Sequence, residues 1–200
     1  MLVQQRTVGF FQSRYNNRRV RSSIEATEIA QKERSMKIAI IGAGNVGGAL
    51  AKAAIAGGHE VAISASSPEV AAQAAQAAGA TAARSNAEVV ANADIVILAV
   101  PYAAVQAIAQ ELGDALTEKI VVDSTNPLDE TGRDLLTSGI SAAEGLQAQL
   151  PGTKVVKAFN TIFAGRHARP SEEGRQLDAF IASDDADAKA KVGEFARSLG

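Results

Sequence analysis

Two hundred residues, 46% of them apolar, with a formal net charge of −2, make an ordinary globular chain long enough for a real core. The slightly acidic balance and 4% aromatic content argue against a nucleic-acid partner, and no apolar run reaches the length of a membrane span, so a cytoplasmic protein is expected. Without cysteine, and with only His59 and His167 to offer imidazole, disulfides, thiolate chemistry and histidine-rich metal sites are excluded; no metal is expected.

Residues 1–35 differ in composition from the rest of the chain. Through Ser23 they carry Arg6, Arg14, Arg18, Arg19 and Arg21 and no acid. An Arg-rich transit peptide or a basic arm has such a composition. The favoured reading is that translation begins at Met36, and that 1–35 is a disordered basic extension without a part in the chemistry.

From Met36 the pattern changes. Lys37–Ile41 reads as a buried strand and Asn45–Ala56 as a helix of small residues, closed by Gly57 and Gly58. Between them Gly42, Gly44 and Gly47 stand in G-x-G-x-x-G spacing. In a strand–turn–helix unit the first glycine makes the tight turn, the second lets backbone N–H groups approach a pyrophosphate, and the third lets the helix pack closely on the sheet. A second strand at Glu60–Ser64 completes that unit, and the helix N-terminus favours an anion. Gly42, Ala43, Gly44, Asn45, Val46 and Gly47 are therefore the expected pyrophosphate loop.

The end of the second strand separates the two nicotinamide cofactors. Enzymes that prefer NAD place a carboxylate there for the ribose hydroxyls. Here Ser64, Ala65, Ser66 and Ser67 stand in sequence, with no acid before Glu69. Ser64, Ser66 and Ser67 are thus expected to donate to a 2′-phosphate, which favours NADP. Arg84 is a substitute for the arginine such sites usually carry, and capping of the next helix is the alternative role for Ser66 and Ser67.

Ser67 and Pro68 open a helix to Ala78, Thr81–Ala83 reads as a short strand, and Ser85 caps a brief helix ending near Ala91. Ile95–Val100 is a continuous apolar run, the mark of a strand covered on both faces. It leads into Ala99, Val100, Pro101 and Tyr102, expected on the nicotinamide side, and a helix from about Ala103 to Leu112. Lys119–Asp123 is the next strand, and 126–141 is a loop of turn formers. A helix at 142–150, strands at Val155–Phe159 and Ala179–Ala182, and a last helix at Ala186–Leu199 complete the chain. Alternation of strand and helix implies an α/β, doubly wound, mostly parallel Rossmann sheet over 36–200.

Asn126 and Asn160 each come just after a strand end, where open α/β sheets bind ligands, so both are candidates to face the cofactor. An Asx turn before Pro127 is the competing role for Asn126. Lys157 reads equally as a general acid and as a sheet-flanking lysine, and is not assigned. His167, in a polar Arg-flanked stretch, reads as a solvated loop histidine, and His59 as a cover for the base of the second strand. No acid–base pair emerges, so no catalytic residue is named.

The runs MKIAIIGAGNVGGALA, LAVPYAAV, IVVDSTNPL and VVKAFNT, in this order, resemble the NADP-dependent reductases of the deazaflavin coenzyme F420. They belong to a superfamily that shares the NADP-binding domain of pyrroline-5-carboxylate reductase. The resemblance covers Met36 to about Leu199. It implies an oxidoreductase passing a hydride directly between NADP(H) and a deazaflavin or flavin-like co-substrate. It also implies Gly42–Gly47 on the pyrophosphate, Ser64–Ser67 on the 2′-phosphate and Val100–Pro101 at the nicotinamide.

Two departures stand out. Serines replace the arginine common in the second-strand turn, and the chain stops at Gly200 where the family continues with a strand and helices. The C-terminal portion is then truncated, or the second substrate is held otherwise, as across a homodimer. The alternatives are a pyrroline-carboxylate-reductase-like or other small-substrate NADP reductase, and a non-catalytic NADP-binding redox sensor.

Overall fold

The computed structural model describes residues 35–129, 131–167, 171–172 and 175–200; the basic N-terminal stretch falls outside them. Six parallel strands form the core of one sheet: β1 (Lys37–Ile41), β2 (Glu60–Ser64), β3 (Thr81–Ala82), β4 (Ile95–Leu98), β5 (Ile120–Asp123) and β6 (Lys154–Ala158). The order across the sheet is β3-β2-β1-β4-β5-β6, and the two-residue strand β9 (Ile181–Ala182) closes the far edge antiparallel to β6. In a separate two-stranded sheet, β7 (Ser171–Glu172) pairs antiparallel with β8 (Arg175–Gln176).

Strand alternation decides which helix covers which face. Ile38, Ile40, Val61, Ile63, Ile95, Ile97, Val122 and Val156 point to one side. There they meet α1 (Asn45–Ala56), α2 (Pro68–Ala78) and the last helix, α7 (Ala186–Ser198). Ala39, Ile41, Val96, Leu98, Val121 and Val155 point to the other side, against α3 (Asn86–Val90), α4 (Tyr102–Leu112) and α5 (Ala142–Gln149). All four residues of β4 are buried, as the continuous apolar run required. This is the doubly wound Rossmann arrangement, with the winding reversing between β1 and β4.

The end of the sheet is the one place where its parallel run breaks. Among the described residues, the chain from β6 passes through a four-residue helix, α6 (Ala164–His167), and the β7–β8 pair before β9. Among the described residues no long crossover helix intervenes, so the chain re-enters the sheet in the opposite sense. His167 also departs from its solvated reading. It lies in α6 and is 4% exposed, its ring packed edge-on against Phe159 at 5.9 Å. His59 covers the base of β2 as expected and adds a tie. Its Nδ1 accepts the Met36 N–H at 3.1 Å and its Nε2 lies 2.6 Å from Ser198 Oγ on α7.

Candidate functional site

The parallel strands deliver their C-terminal ends to one edge, and the winding reversal opens a crevice there. Both halves of the crevice are stitched to the end of β1, at Ile41 and Gly42. The Gly42 N–H donates to the Ser64 carbonyl at 2.9 Å, while the Ala99 N–H donates to Ile41 at 2.9 Å. Gly42 has φ +111°, and a Cβ there would stand 2.2 Å from the Ala99 carbonyl oxygen. A Cβ on Gly47 would stand 1.9 Å from the Gly42 oxygen. Backbone encloses both positions, so no larger residue fits.

Gly44 is the opposite case. A Cβ there would meet nothing within 4 Å. Gly44 is the N-cap of α1, no side chain caps that terminus, and no acid sits in the first turn. Its first N–H groups are thus left for an external acceptor, with the positive end of the helix dipole behind them. Asn45 is exposed beside it, while Ala43 and Val46 are half-buried and pack against the core. A cavity of about 570 Å³ opens at Gly44 and Asn45, between α1, α2 and α6.

The three serines after β2 separate. Ser64 is 1% exposed and its hydroxyl donates to Asn86 Oδ1 at 2.8 Å; the Asn86 amide donates in turn to Glu111 at 2.9 Å. Sequence reasoning missed Asn86, whose only signal was its place after the Ser85 cap. Ser67 caps α2, accepting the Val70 N–H at 3.4 Å. Its hydroxyl and the Glu69 backbone N–H hold the Glu69 carboxyl below its usual range. Only Ser66 is exposed and unassigned to these bonds. Arg84, also exposed, lies two residues past β3 on the same edge.

On the other side of the reversal, Ala99 and Val100 are half-buried and Pro101 is exposed. Tyr102 begins α4 half-buried against the core. Asn126 and Asn160 come together. The Asn126 amide donates to the Asn160 carbonyl oxygen, and the Asn160 amide donates to Asn126 Oδ1, both at 3.0 Å. Beneath them lies a buried network that sequence did not reveal. Asp123 and Lys157 are cross-strand neighbours joined by an ion pair of 2.9 Å, and Lys157 Nζ also donates to the Thr125 carbonyl. The second Asp123 oxygen accepts the Thr125 N–H and hydroxyl at 2.9 and 2.7 Å. Lys157 is therefore committed to the scaffold. Beside the asparagines, a cavity of about 950 Å³ runs under the 126–141 loop, with Leu135 and Ile140 among its walls.

Comparison with known proteins gives a consistent result. The profile of the family described as NADP oxidoreductase, coenzyme F420-dependent, matches residues 37–127. The F420-dependent NADP reductase of Methanothermobacter thermautotrophicus is 32% identical over 180 residues, spanning 82% of this chain and 77% of the relative. Among solved structures, a candidate F420-dependent NADP reductase from Arthrobacter sp. FB24 superposes with a TM-score of 0.75 at 32% identity, over 83% of this chain and 82% of the other. A pyrroline-5-carboxylate reductase from Streptococcus pyogenes, at 18% identity and a TM-score of 0.62 over 84% of this chain and 57% of the other, shares the fold.

Proposed function

The chain belongs to the family of coenzyme F420-dependent NADP oxidoreductases, and we propose that it is a cytoplasmic enzyme transferring a hydride between NADP(H) and a deazaflavin coenzyme. Residues 36–200 are its NADP-binding domain. The observation that carries this is the one open glycine among the three of the fingerprint. Gly42 and Gly47 are walled in by backbone, whereas Gly44 faces empty space at an uncapped helix terminus. That is the cradle a diphosphate needs, and one that a side chain would fill. The residues present fit the cofactor.

Ala43, Asn45 and Val46 complete the pyrophosphate loop around the three glycines. Ser66 and Ser67 serve the adenosine 2′-phosphate, with the exposed Arg84 as the cation of that end. Ser64 acts through Asn86, fixing the turn from beneath. Ala99, Val100, Pro101 and Tyr102 border the nicotinamide end, where Asn126 and Asn160 offer amide groups. The deazaflavin belongs in the larger cavity, against Leu135 and Ile140. A second copy of the chain is the macromolecular partner allowed; nucleic acid and membrane are not involved, and among the described residues no helix is long and apolar enough to cross a bilayer.

When bound, the nicotinamide supplies the hydride. The protein contributes orientation, which alone can lower a barrier by up to roughly 7–11 kcal/mol. Strand ends locked by Asp123, Thr125 and Lys157 provide rigid supports for that task. The protein need not move a proton, which agrees with Lys157 being held in an ion pair.

Anaerobic mixing with NADPH and deazaflavin, monitored by deazaflavin absorbance, tests the proposal. Turnover on deazaflavin, with none on ferric acceptors, supports it. Tight NADPH binding without turnover on deazaflavin or flavin would instead make the chain a nucleotide-sensing module. Gly44→Val should move Tm by less than about 2 °C yet weaken NADPH binding at least about 100-fold. Unchanged affinity in that variant would remove the loop assignment.

A further inference from the structure

Phe159 is an anomaly that neither the fold nor the cofactor loop explains. It comes immediately after β6, is 3% exposed, and has φ +65°, a left-handed conformation that bulky side chains rarely adopt. Glycine would take this conformation freely, so the aromatic side chain must serve another purpose. Two rings from two different helices grip it. His167 of α6 meets it edge-to-face at 5.9 Å with planes 76° apart, and Phe195 of α7 does so at 5.9 Å and 89°. Phe195 is itself fully buried and braced by His59 at 5.2 Å.

The residue after Phe159 is Asn160, which exchanges two hydrogen bonds with Asn126 at the strand ends. A left-handed residue sharply redirects the chain, so relaxing Phe159 to negative φ would carry Asn160 away from Asn126. We infer that Phe159, clamped between His167 and Phe195, is the positioning residue that sets Asn160 at the nicotinamide end of the site. This rests on the proposal that the asparagine pair serves that end. His167 supports the clamp as a ring. Its Nε2 is buried with no hydrogen-bond partner among the described residues, so its polar contacts, with the backbone of Phe159 and Ile162, stay within the turn that the clamp holds.

The test compares His167→Ala, which removes the ring, with His167→Phe, which keeps it. Leu116→Ala opens a cavity on the opposite face of the sheet and controls for lost stability. The first readout needs no ligand. In ¹⁵N spectra of the free protein, the Asn160 side-chain amide should move to the position of a free amide in His167→Ala and stay in place in His167→Phe and Leu116→Ala. The second readout is kinetic. His167→Ala should lose about tenfold or more in kcat for hydride transfer, while its NADPH Kd changes less than about twofold; His167→Phe should stay close to the parent in both.

If His167→Ala does not fold, Phe159→Leu replaces it, with the same loss expected. Two outcomes overturn the inference: an unmoved Asn160 amide in the ringless variant, or a His167→Phe variant that behaves like His167→Ala. Asn160→Ala, measured alongside, separates the two levels. If kcat is unchanged in Asn160→Ala, the site assignment itself fails. If Asn160→Ala falls and His167→Ala does not, only the clamp fails.

Discussion

Among the fingerprint glycines, chemistry differs by residue and so should the damage done to each. The Cβ of Gly47→Ala would lie 1.9 Å from a backbone oxygen that cannot rotate away. Either α1 lifts from β1 or the loop distorts. The expected cost is about 3 kcal/mol or more of unfolding free energy, read from chemical denaturation, with nucleotide affinity falling as a consequence. Gly44→Val is predicted to do the reverse, sparing stability and abolishing binding. A Gly47→Ala protein as stable as the parent would show that the loop is looser than its geometry. The spacing of these glycines was legible in the sequence because turn, approach and packing each demand a missing side chain. Phe159 was not legible, since nothing in the letters of VVKAFNT distinguishes a left-handed phenylalanine from one ending a strand. His167 was misread for a related reason. Its polar neighbours in sequence suggested solvent, but its ring is drawn inward by Phe159, a partner eight residues back.

At the scale of elements, branched runs and capping residues defined most boundaries. Ser67, Ser85 and Ser141 each cap the helix that begins beside them, the last with a full capping box to Glu144. What alternation could not reveal is pairing between strands. Asp123 and Lys157 lie 34 positions apart and meet only because β5 and β6 pair in that register. Likewise β9 has just two residues, too few for a period to specify direction. The Asp123–Lys157 pair therefore makes an element-scale prediction. Asp123 is 2% exposed at the side chain, so Lys157→Met would leave a buried carboxylate without its counter-charge. Loss of about 3–5 kcal/mol is expected, together with weaker support for Thr125 and Asn126. Adding Asp123→Asn should restore much of that stability, because the Asn oxygen can still accept the Thr125 N–H. If the double variant is no better than Lys157→Met alone, charge burial is not the cause and lost packing of the lysine stem is.

For the whole molecule, the two histidines, at the two ends of one row of packed rings, link pH to folding. Burial lowers the pKa of His59 from 6.5, and burial is also the leading cause of the lowered value of His167, with the backbone at Phe159 and Ile162 partly opposing it. A base whose folded pKa is depressed binds fewer protons folded than unfolded. Stability is then complete above about pH 6.5 and declines as pH falls below it toward the folded values, by at most about 1.4 kcal/mol per pH unit per histidine. Glu69, Asp129 and Glu144 are also shifted downward, but from 4.5, 3.8 and 4.5, so their contributions are lost only in more acid solution. Between these windows the histidines act alone among the shifted groups of the described residues. His59 also carries a structural consequence. Its Nδ1 accepts the Met36 N–H and Nε2 meets Ser198, so protonation destroys the acceptor that ties the start of β1 to the end of α7. Thermal melts from about pH 7.5 to 5 should show Tm falling as the solution is acidified through about pH 6.5. His167→Phe should remove one histidine's share of the slope, and His59→Gln the other. A parent protein with a flat profile across this range would mean that neither imidazole is held neutral by the fold, and that the staple between the first strand and the last helix survives protonation.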